Sequence, residues 1–132
     1  MRFKIACMEA KIVAKNGEDL AERYFIGKNY LILKRNFRCR FGEIDIIAVD
    51  RRIHAQELVF VEVKTRISTC FGEPKESITK VKIRKIIKTA LYFLNLATRL
   101  NIKNWRIDFL GIKLNKSGKP IEIIHIKNIT ND

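Results

Sequence analysis

The sequence predicts an α/β fold in which helices flank a mixed β-sheet. Two helical apolar patterns frame three strand-like runs, and two further strand-like runs follow the second pattern. The chain has 132 residues and neither repeats nor a Pro- or Gly-rich linker, and a domain of that size can bury roughly two-thirds of its unfolded surface. We therefore expect a single domain over 1–132, with 1–16 as an N-terminal extension of the first helix.

The first helix is predicted from about Met8 to Ile26, where apolar residues recur at roughly helical spacing. Gly27 is a plausible C-cap, and Asn16-Gly17 could interrupt the helix. The three strands predicted next are Tyr30–Lys34, Glu43–Val49 and Leu58–Thr65. A charged turn from Asp50 to Glu57 separates the last two. These strands should therefore form an antiparallel meander.

The second helix is predicted over roughly Thr79 to Leu100. Its broad apolar face comprises Val81, Ile83, Ile86, Ile87, Ala90, Leu91, Phe93 and Leu94. Two strands follow, Trp105–Leu114 and Ile121–Ile126, joined by a turn in which Gly118 can take a positive φ. A strand, a crossover helix and a second strand favour a right-handed return. We therefore expect the Trp105 strand to run parallel to the Leu58 strand.

The chain is strongly basic. It has 27 Lys and Arg against 14 Asp and Glu, a formal net charge of +13. Such a charge favours a polyanionic partner through counterion release and electrostatic steering, and nucleic acid is the first candidate. The alternative is a Lys-, Ile- and Asn-rich composition in which the charges only solvate the surface.

The cysteines and the apolar runs bear on the compartment. Cys7, Cys39 and Cys70 are odd in number and widely spaced, which is typical of neither a disulfide framework nor a zinc ribbon. We interpret them as reduced thiols of a cytoplasmic protein. Charges interrupt every N-terminal apolar run, and the longest uncharged helical stretch is about half a membrane span. We therefore expect neither secretion nor membrane insertion.

Two motifs place charged side chains in apolar strands. Gly42-Glu43-Ile44-Asp45 leads into one strand, and the next strand carries Glu62 and Lys64 among valines. Side chains alternate across a strand, so Glu62 and Lys64 share a face, and a meander would bring Asp45 within one strand spacing of Glu62. Buried ionised groups are costly unless paired, and adjacent carboxylates raise each other's proton affinity unless a cation neutralises them.

Hard oxygen ligands with open coordination positions suit Mg²⁺ or Mn²⁺. We predict that Asp45 and Glu62 ligate such an ion and that the backbone carbonyl of Val63 adds a third oxygen. Lys64 would then serve the nucleophile in phosphodiester hydrolysis. The alternative is that Glu62 and Lys64 form a weak, solvent-exposed pair at a strand end.

These motifs, in this order along the chain, match a known family. The matching segments are Gly17-Glu18 with Ala21 and Tyr24, Asn36-Phe37-Arg38, Gly42–Asp45, Val59–Lys64 with Arg66, Phe71-Gly72, Arg106-Ile107-Asp108 and His125-Ile126. The chain resembles the YraN-like uncharacterised family of the restriction-endonuclease-like, or PD-(D/E)XK, superfamily. The signature of that superfamily is an Asp on one strand and Glu-x-Lys on the next. The resemblance implies a restriction-endonuclease-like core and a magnesium-dependent nuclease that acts on DNA.

The resemblance extends to Holliday junction resolvases, which carry a further Glu on the first helix that helps to hold metal or water. Glu18 stands at the matching place, and Glu22 is a weaker candidate on the same helical face. The alternative for both is a solvated acidic face. Similarity to resolvases also implies a branched or structured DNA substrate and a homodimer, because two symmetric cuts need two sites. The basic turn from Asp50 to Glu57 is longer than the family's usual one.

Eight basic residues are predicted to contact the DNA backbone. Arg66 follows Lys64 on the same side of the strand and is the predicted phosphate clamp, because a guanidinium fork fits phosphate oxygens. The other seven are Arg38, Arg40, Arg51, Arg52, Lys80, Arg84 and Lys88. For each of these, a solvated surface role is the alternative.

Three further residues are placed outside the site. We expect His54 to lie at the surface, His125 to be a satisfied core or edge histidine, and Asp108 to pair with a nearby Arg. Besides a nuclease, two functions stay open. One is a non-catalytic nucleic-acid-binding protein with a nuclease-like fold. The other is a small partner of a larger repair or processing complex.

Overall fold

The computed structural model describes residues 2–52, 54, 56–67 and 78–130, with side chains of the first helix from residue 12 onward. Its helices and strands in chain order are α1 (Arg2–Gly27), β1 (Tyr30–Cys39), β2 (Gly42–Asp50), β3 (Glu57–Ile67), α2 (Lys80–Leu96), β4 (Asn104–Leu114) and β5 (Pro120–Ile126). A single 3₁₀ turn, Thr98–Leu100, follows α2. The predicted fold class is confirmed: a five-stranded mixed sheet with two helices, consistent with a restriction-endonuclease-like core.

The sheet has the order β1-β2-β3-β4-β5. Strands β1, β2 and β3 form the predicted antiparallel meander, and β5 is antiparallel to β4. Strands β3 and β4 are parallel, with Leu58 opposite Trp105, as the crossover through α2 predicts. The strand directions predicted from the sequence therefore agree with the structure at the centre of the sheet.

The sheet has a core on each face. Beneath α1, Ala21 and Phe25 pack on a buried cluster that includes Ile46, Val61 and Leu110. The cluster beneath α2 comprises Phe37, Ile44, Ile47, Val49, Leu58, Phe60, Ile86, Ala90 and Ile107. Each helix thus buries one stripe against the sheet, which is the usual arrangement of an α/β layered fold.

Helix α1 passes through Asn16-Gly17 without the interruption that its sequence allowed. A Cβ added at Gly17 would overlap the Thr65 hydroxyl on β3. The glycine therefore lets the helix backbone approach the strand rather than breaking the helix. This contact fixes the height at which the next residue, Glu18, stands above the sheet.

Four predicted features differ in the structure. Helix α1 begins at Arg2 rather than at about Met8. Strand β1 continues to Cys39 rather than stopping at Lys34. Helix α2 ends at Leu96 with Ala97 as its C-cap, before the 3₁₀ turn. Two residues assigned to its apolar face, Val81 and Leu91, are exposed, because the buried stripe is narrower than the run of apolar residues.

Cys39 carries a free thiol. The side chains of Cys7 and Cys70 lie outside the described residues, as does the Phe71-Gly72 motif. Neither helix of the described chain is long and apolar enough to cross a lipid bilayer.

Candidate metal centre

Asp45 lies where strands β2 and β3 part. The two strands are paired from Asp50 opposite Glu57 to Ile46 opposite Val61. At the next position the Val63 backbone N–H donates a hydrogen bond to Asp45 Oδ2, at 2.7 Å. The Asp45 carboxylate therefore takes the place of a ladder acceptor at the opening between the strands.

A local twist positions this carboxylate. Ile44 packs in the cluster beneath α2 and Ile46 in the cluster beneath α1, although residues two apart in a strand normally share a face. Across the β1–β2 ladder, Asn36 has a φ of 53° between the pairs Arg35–Ile46 and Phe37–Ile44. Asn tolerates this left-handed conformation better than most residues. Strands β1 and β2 therefore twist at the same point of their ladder, β1 at Asn36 and β2 at Asp45.

The pKa of Asp45 is raised to about 7. Burial is the largest cause, and the nearby negative charge of Glu62 is the second. The hydrogen bond from Val63 opposes both, while Glu18 and Glu43 add smaller repulsions. The structure thus brings Asp45 and Glu62 together and leaves negative charge that Asp45 relieves by holding a proton up to neutral pH.

Glu62 is largely buried, with its side chain 12% exposed. Its Oε1 lies 2.8 Å from the Nζ of Lys82, in the first turn of α2. The Thr79 hydroxyl caps this turn by accepting a hydrogen bond from the Lys82 backbone N–H at 3.1 Å. Lys82 was not predicted as a site residue. The basic residues of this helix that were predicted to contact DNA are Lys80, Arg84 and Lys88. No local signal in the sequence pointed to the pairing of Lys82 with Glu62, because that contact depends on how α2 packs against β3.

Lys64 lies on the same face as Glu62, partly buried. The pKa of its ammonium group is lowered, first by burial and then by the positive charges of Lys82 and Arg66. Glu62 and Asp45 oppose this shift. Lys64 is therefore within electrostatic reach of both carboxylates and of Arg66, which brings four of the predicted site residues together.

Glu18 stands beside this group without joining it directly. Its carboxylate contacts Arg35 and the Asn36 amide at 3.5 Å each, at the long limit of a hydrogen bond. Glu22 pairs with Arg35 more closely, at 3.0 Å. Glu18 is near enough for its charge to raise the pKa of Asp45, while Glu22 serves mainly to hold Arg35 against α1.

The donor set fits a magnesium-type ion better than a transition metal. Within the described residues, no three acidic, His or Cys side chains gather into a complete metal site. Mg²⁺ does not need one, because it is commonly held by one or two carboxylates together with waters and substrate phosphates. The negative charge of Asp45, which burial and the nearby Glu62 make costly, is what such a cation would neutralise. The role predicted for the Val63 carbonyl stays a prediction.

The predicted DNA-binding residues divide into two groups. Arg38 and Arg40 lie at the β1–β2 turn near Asp45, where Arg38 pairs with Glu43 at 3.1 Å and Arg40 lies over the Phe41 ring. Lys80, Arg84 and Lys88 are exposed along α2, as the sequence predicted. Arg66 is near Lys64. All six are therefore at the edge of the sheet, or on the helix, that borders Asp45 and Glu62.

Arg51 and Arg52 are not brought to the site. They follow Asp50, which lies about 16 Å along β2 from Asp45 at the usual strand rise. Arg52 donates to both oxygens of Asp50 and to the Tyr30 hydroxyl, at 2.8 to 3.1 Å, so its guanidinium group is already engaged. The basic turn that carries them has a structural role at the far end of the sheet.

That far end holds a buried ionic network centred on Arg106. Its guanidinium donates to Asp50 at 3.1 Å, Glu57 at 2.7 Å, Asp108 at 3.0 Å and the Tyr30 hydroxyl at 2.8 Å. The expected pairing of Asp108 with an Arg is confirmed.

His125 extends the network. It contacts Asp108 at 2.8 Å and the Tyr24 hydroxyl at 3.0 Å, and its side chain is 9% exposed. Its predicted role as a satisfied core histidine is therefore confirmed, and His54 is exposed as expected. The contributions of Asp50 and Glu57 were not predicted, because the sequence was interpreted as placing them at the ends of a charged turn.

Comparison with other proteins places the chain in a family. Residues 17–112 match the uncharacterised protein family UPF0102, a span that includes every residue of the candidate metal centre. The chain belongs to UPF0102. A UPF0102 protein of Persephonella marina is 47% identical over 117 residues, covering 89% of this chain and 91% of its own. UPF0102 proteins of Clostridium novyi and Desulforamulus reducens are 39% and 38% identical, and cover 89% and 92% of this chain and 94% and 97% of their own length.

Proposed function

We propose that this UPF0102 protein is a metal-dependent nuclease that hydrolyses phosphodiester bonds of DNA. The observation that carries the proposal is the pair of carboxylates, Asp45 and Glu62, held together at the opening between β2 and β3 with Lys64 on the same face. The raised pKa of Asp45, caused first by burial and then by the charge of Glu62, means that its ionised form is costly, and a divalent cation would stabilise that form. The likeness of this arrangement to the Asp and Glu-x-Lys signature of restriction-endonuclease-like enzymes supports the same function.

Each residue of the centre has a part in the proposed mechanism. Asp45 and Glu62, with the Val63 carbonyl, would hold Mg²⁺ or Mn²⁺. When bound, such an ion supplies Lewis-acid polarisation of a phosphoryl group and makes a nearby water a stronger acid. Lys64 orients the attacking water and offsets negative charge that develops on the phosphoryl oxygens. Glu18 adds negative potential from α1 and helps to position water.

The basic surface supplies DNA binding. Arg66 binds a phosphate next to the scissile phosphate, since its guanidinium group can bind two phosphate oxygens. The exposed cations of α2 and of the β1–β2 turn follow the backbone on either side, with no contact that reads base sequence. The net charge of +13 favours this interaction at low salt. Similarity to Holliday junction resolvases extends the proposal to branched DNA and to a homodimer.

Cleavage assays test the proposal. Labelled single-stranded, duplex and four-way-junction DNA are incubated with the purified protein, with and without Mn²⁺. Cutting should require the cation, and Asp45→Asn, Glu62→Gln and Lys64→Ala should each reduce the rate on the order of a hundredfold or more. Glu122→Gln is the matched control, because Glu122 is exposed on β5. Absence of cutting in every divalent cation, or cutting that survives Asp45→Asn, would overturn the proposal.

One observation favours a second function, a non-catalytic nucleic-acid-binding protein. The Lys82 ammonium already neutralises Glu62 at 2.8 Å, so the chain can balance that carboxylate without a metal. Such a protein would bind DNA with an affinity that falls steeply with salt, and it would cut no substrate in any divalent cation. The same assays, with a gel-shift measurement beside them, separate the two functions.

A further inference from the structure

The ion pair between Lys82 and Glu62 connects the first turn of α2 to β3. The Glu62 side chain is 12% exposed and that of Lys82 is 39% exposed, so the pair joins a largely buried carboxylate to a long side chain reaching in from solvent. Exposed pairs of this kind usually contribute little to stability. Here the buried partner makes the pair the main source of neutralisation for Glu62 among the described residues.

Other charged groups surround the ion pair between Lys82 and Glu62. Asp45 lies beside Glu62 as a second carboxylate, and Lys64 is a second ammonium, near enough for the charge of Lys82 to lower its pKa. Two acids and two lysines therefore meet at one point. The Lys82 ammonium occupies an oxygen, Glu62 Oε1, that a magnesium-type ion would also use, and two cations cannot share it without strong repulsion.

The Lys82 side chain is also able to move away from Glu62. Its backbone is held by the Thr79 cap in the first turn of α2, while four rotatable bonds and partial exposure let its ammonium swing into solvent. The anchor keeps the side chain close to the centre in either position. A metal cation can therefore replace the Lys82 ammonium at Glu62 without a movement of the helix.

We propose that Lys82 stands in for the divalent cation at Glu62 in the metal-free protein and is displaced when the cation binds. This inference rests on the proposed function only in requiring that Asp45 and Glu62 bind a cation. Its consequence is that Lys82 weakens cation binding, so the centre fills only at higher concentrations of the ion. Loss of the lysine should therefore tighten cation binding.

The test measures Mn²⁺ binding by isothermal titration calorimetry at about pH 8, above the pKa of about 7 of Asp45, so that protonation of Asp45 does not compete. Lys82→Met keeps the length of the side chain and removes its charge. We expect it to bind Mn²⁺ about fivefold more tightly than the unaltered protein, the gain expected from removing one partly exposed competing ion pair. Lys80→Met, an equal charge change two residues earlier at an exposed position, should leave the affinity within about twofold.

The outcomes distinguish this inference from the proposed function. If the unaltered protein binds Mn²⁺, Asp45→Asn abolishes binding and Lys82→Met binds no more tightly than Lys80→Met, the role of Lys82 is overturned and the metal centre stands. If no variant binds Mn²⁺, both proposals are overturned. If Lys82→Met binds Mn²⁺ and the unaltered protein does not, the inference is supported in its strongest form. Thermal unfolding of each variant without metal shows that it is folded.

Discussion

At the residue scale, Asp45 is the central residue of the candidate metal centre. It combines burial, a nearby carboxylate and a hydrogen bond from the backbone of the next strand. Sequence alone could place it within one strand spacing of Glu62, since a meander with alternating side chains leaves few other arrangements. The twist at Asn36 that turns Asp45 toward β3 could not be predicted in the same way. It depends on the pairing of two strands rather than on either one.

The raised pKa of Asp45 predicts a pH-dependent stability. Because the folded-state pKa of about 7 lies above the ordinary value of 3.8, folding favours the protonated acid, and stability falls as the pH rises between these two values. Asp45→Asn removes this penalty and keeps an oxygen to accept the Val63 hydrogen bond. We expect the metal-free variant to gain on the order of 2 kcal/mol in the free energy of unfolding above neutral pH.

Urea denaturation with and without a chelator measures this gain. The difference between the variant and the unaltered protein should shrink toward acid pH, where Asp45 is protonated in both states. A variant that is less stable than the unaltered protein above neutral pH would show that Asp45 is not under electrostatic strain.

At the scale of elements, the contact between α1 and β3 depends on Gly17. Alanine there would drive its Cβ into the Thr65 side chain, so Gly17→Ala should lower the free energy of unfolding by about 1–3 kcal/mol, the usual cost of overpacking. Gly27→Ala is the matched control, because nothing lies within 4 Å of the Cβ that it adds. Chemical denaturation measures both. Equal stabilities of the two variants would contradict the close approach.

The Arg106 network joins β2, β3, β4 and β5, from Asp50 and Glu57 on the first two of these strands to Asp108 and His125 on the other two. Burial alone would raise the pKa values of Asp50 and Asp108, but hydrogen bonds hold both below their ordinary value of 3.8. The donors are Arg52 and Arg106 for Asp50, and His125 and Arg106 for Asp108. The stability from these ionised acids is present above about pH 4 and is lost as the pH falls through the lowered pKa values.

Arg106→Met should therefore be costly at neutral pH. It leaves two buried carboxylates short of a partner, and we expect a loss of about 3–5 kcal/mol in the free energy of unfolding. The loss should be smaller at about pH 3, where protonation relieves the unpaired acids. Urea titrations at the two pH values, with the exposed Arg99→Met as control, measure this difference. A penalty that does not change with pH would contradict the ionic origin of the network.

The strand order, the parallel return and the Asp, Glu-x-Lys geometry follow from periodicity and handedness, which are local or nearly universal rules. The contacts of Lys82 and of the Arg106 network do not follow from these rules. Lys82 lies 20 positions beyond Glu62 along the chain, and Arg106 meets Asp50 across 56 positions. A charge on a helix or strand does not reveal its partner until the tertiary packing is known.

At the scale of the whole molecule, the residues predicted to bind DNA are divided between the surroundings of Asp45 and Glu62 and the turn that follows Asp50. If DNA follows α2 past the metal centre, Arg84→Gln and Lys88→Gln should each reduce the slope of log affinity against log salt by about 1. Arg51→Gln, at the far end of the sheet, should leave the slope unchanged. Fluorescence anisotropy in a chelator and several salt concentrations measures the slopes. An equal effect of all three substitutions would indicate a diffuse attraction without a defined path.

The central claim is that Asp45 and Glu62 hold one divalent cation between β2 and β3. The most direct measurement is the anomalous difference map of a crystal grown with Mn²⁺. We predict a single strong peak within about 2.3 Å of an oxygen of each carboxylate, with Lys82 turned away from Glu62. No peak at these carboxylates, with the Lys82 ion pair intact at a Mn²⁺ concentration that supports DNA cleavage, would contradict the account.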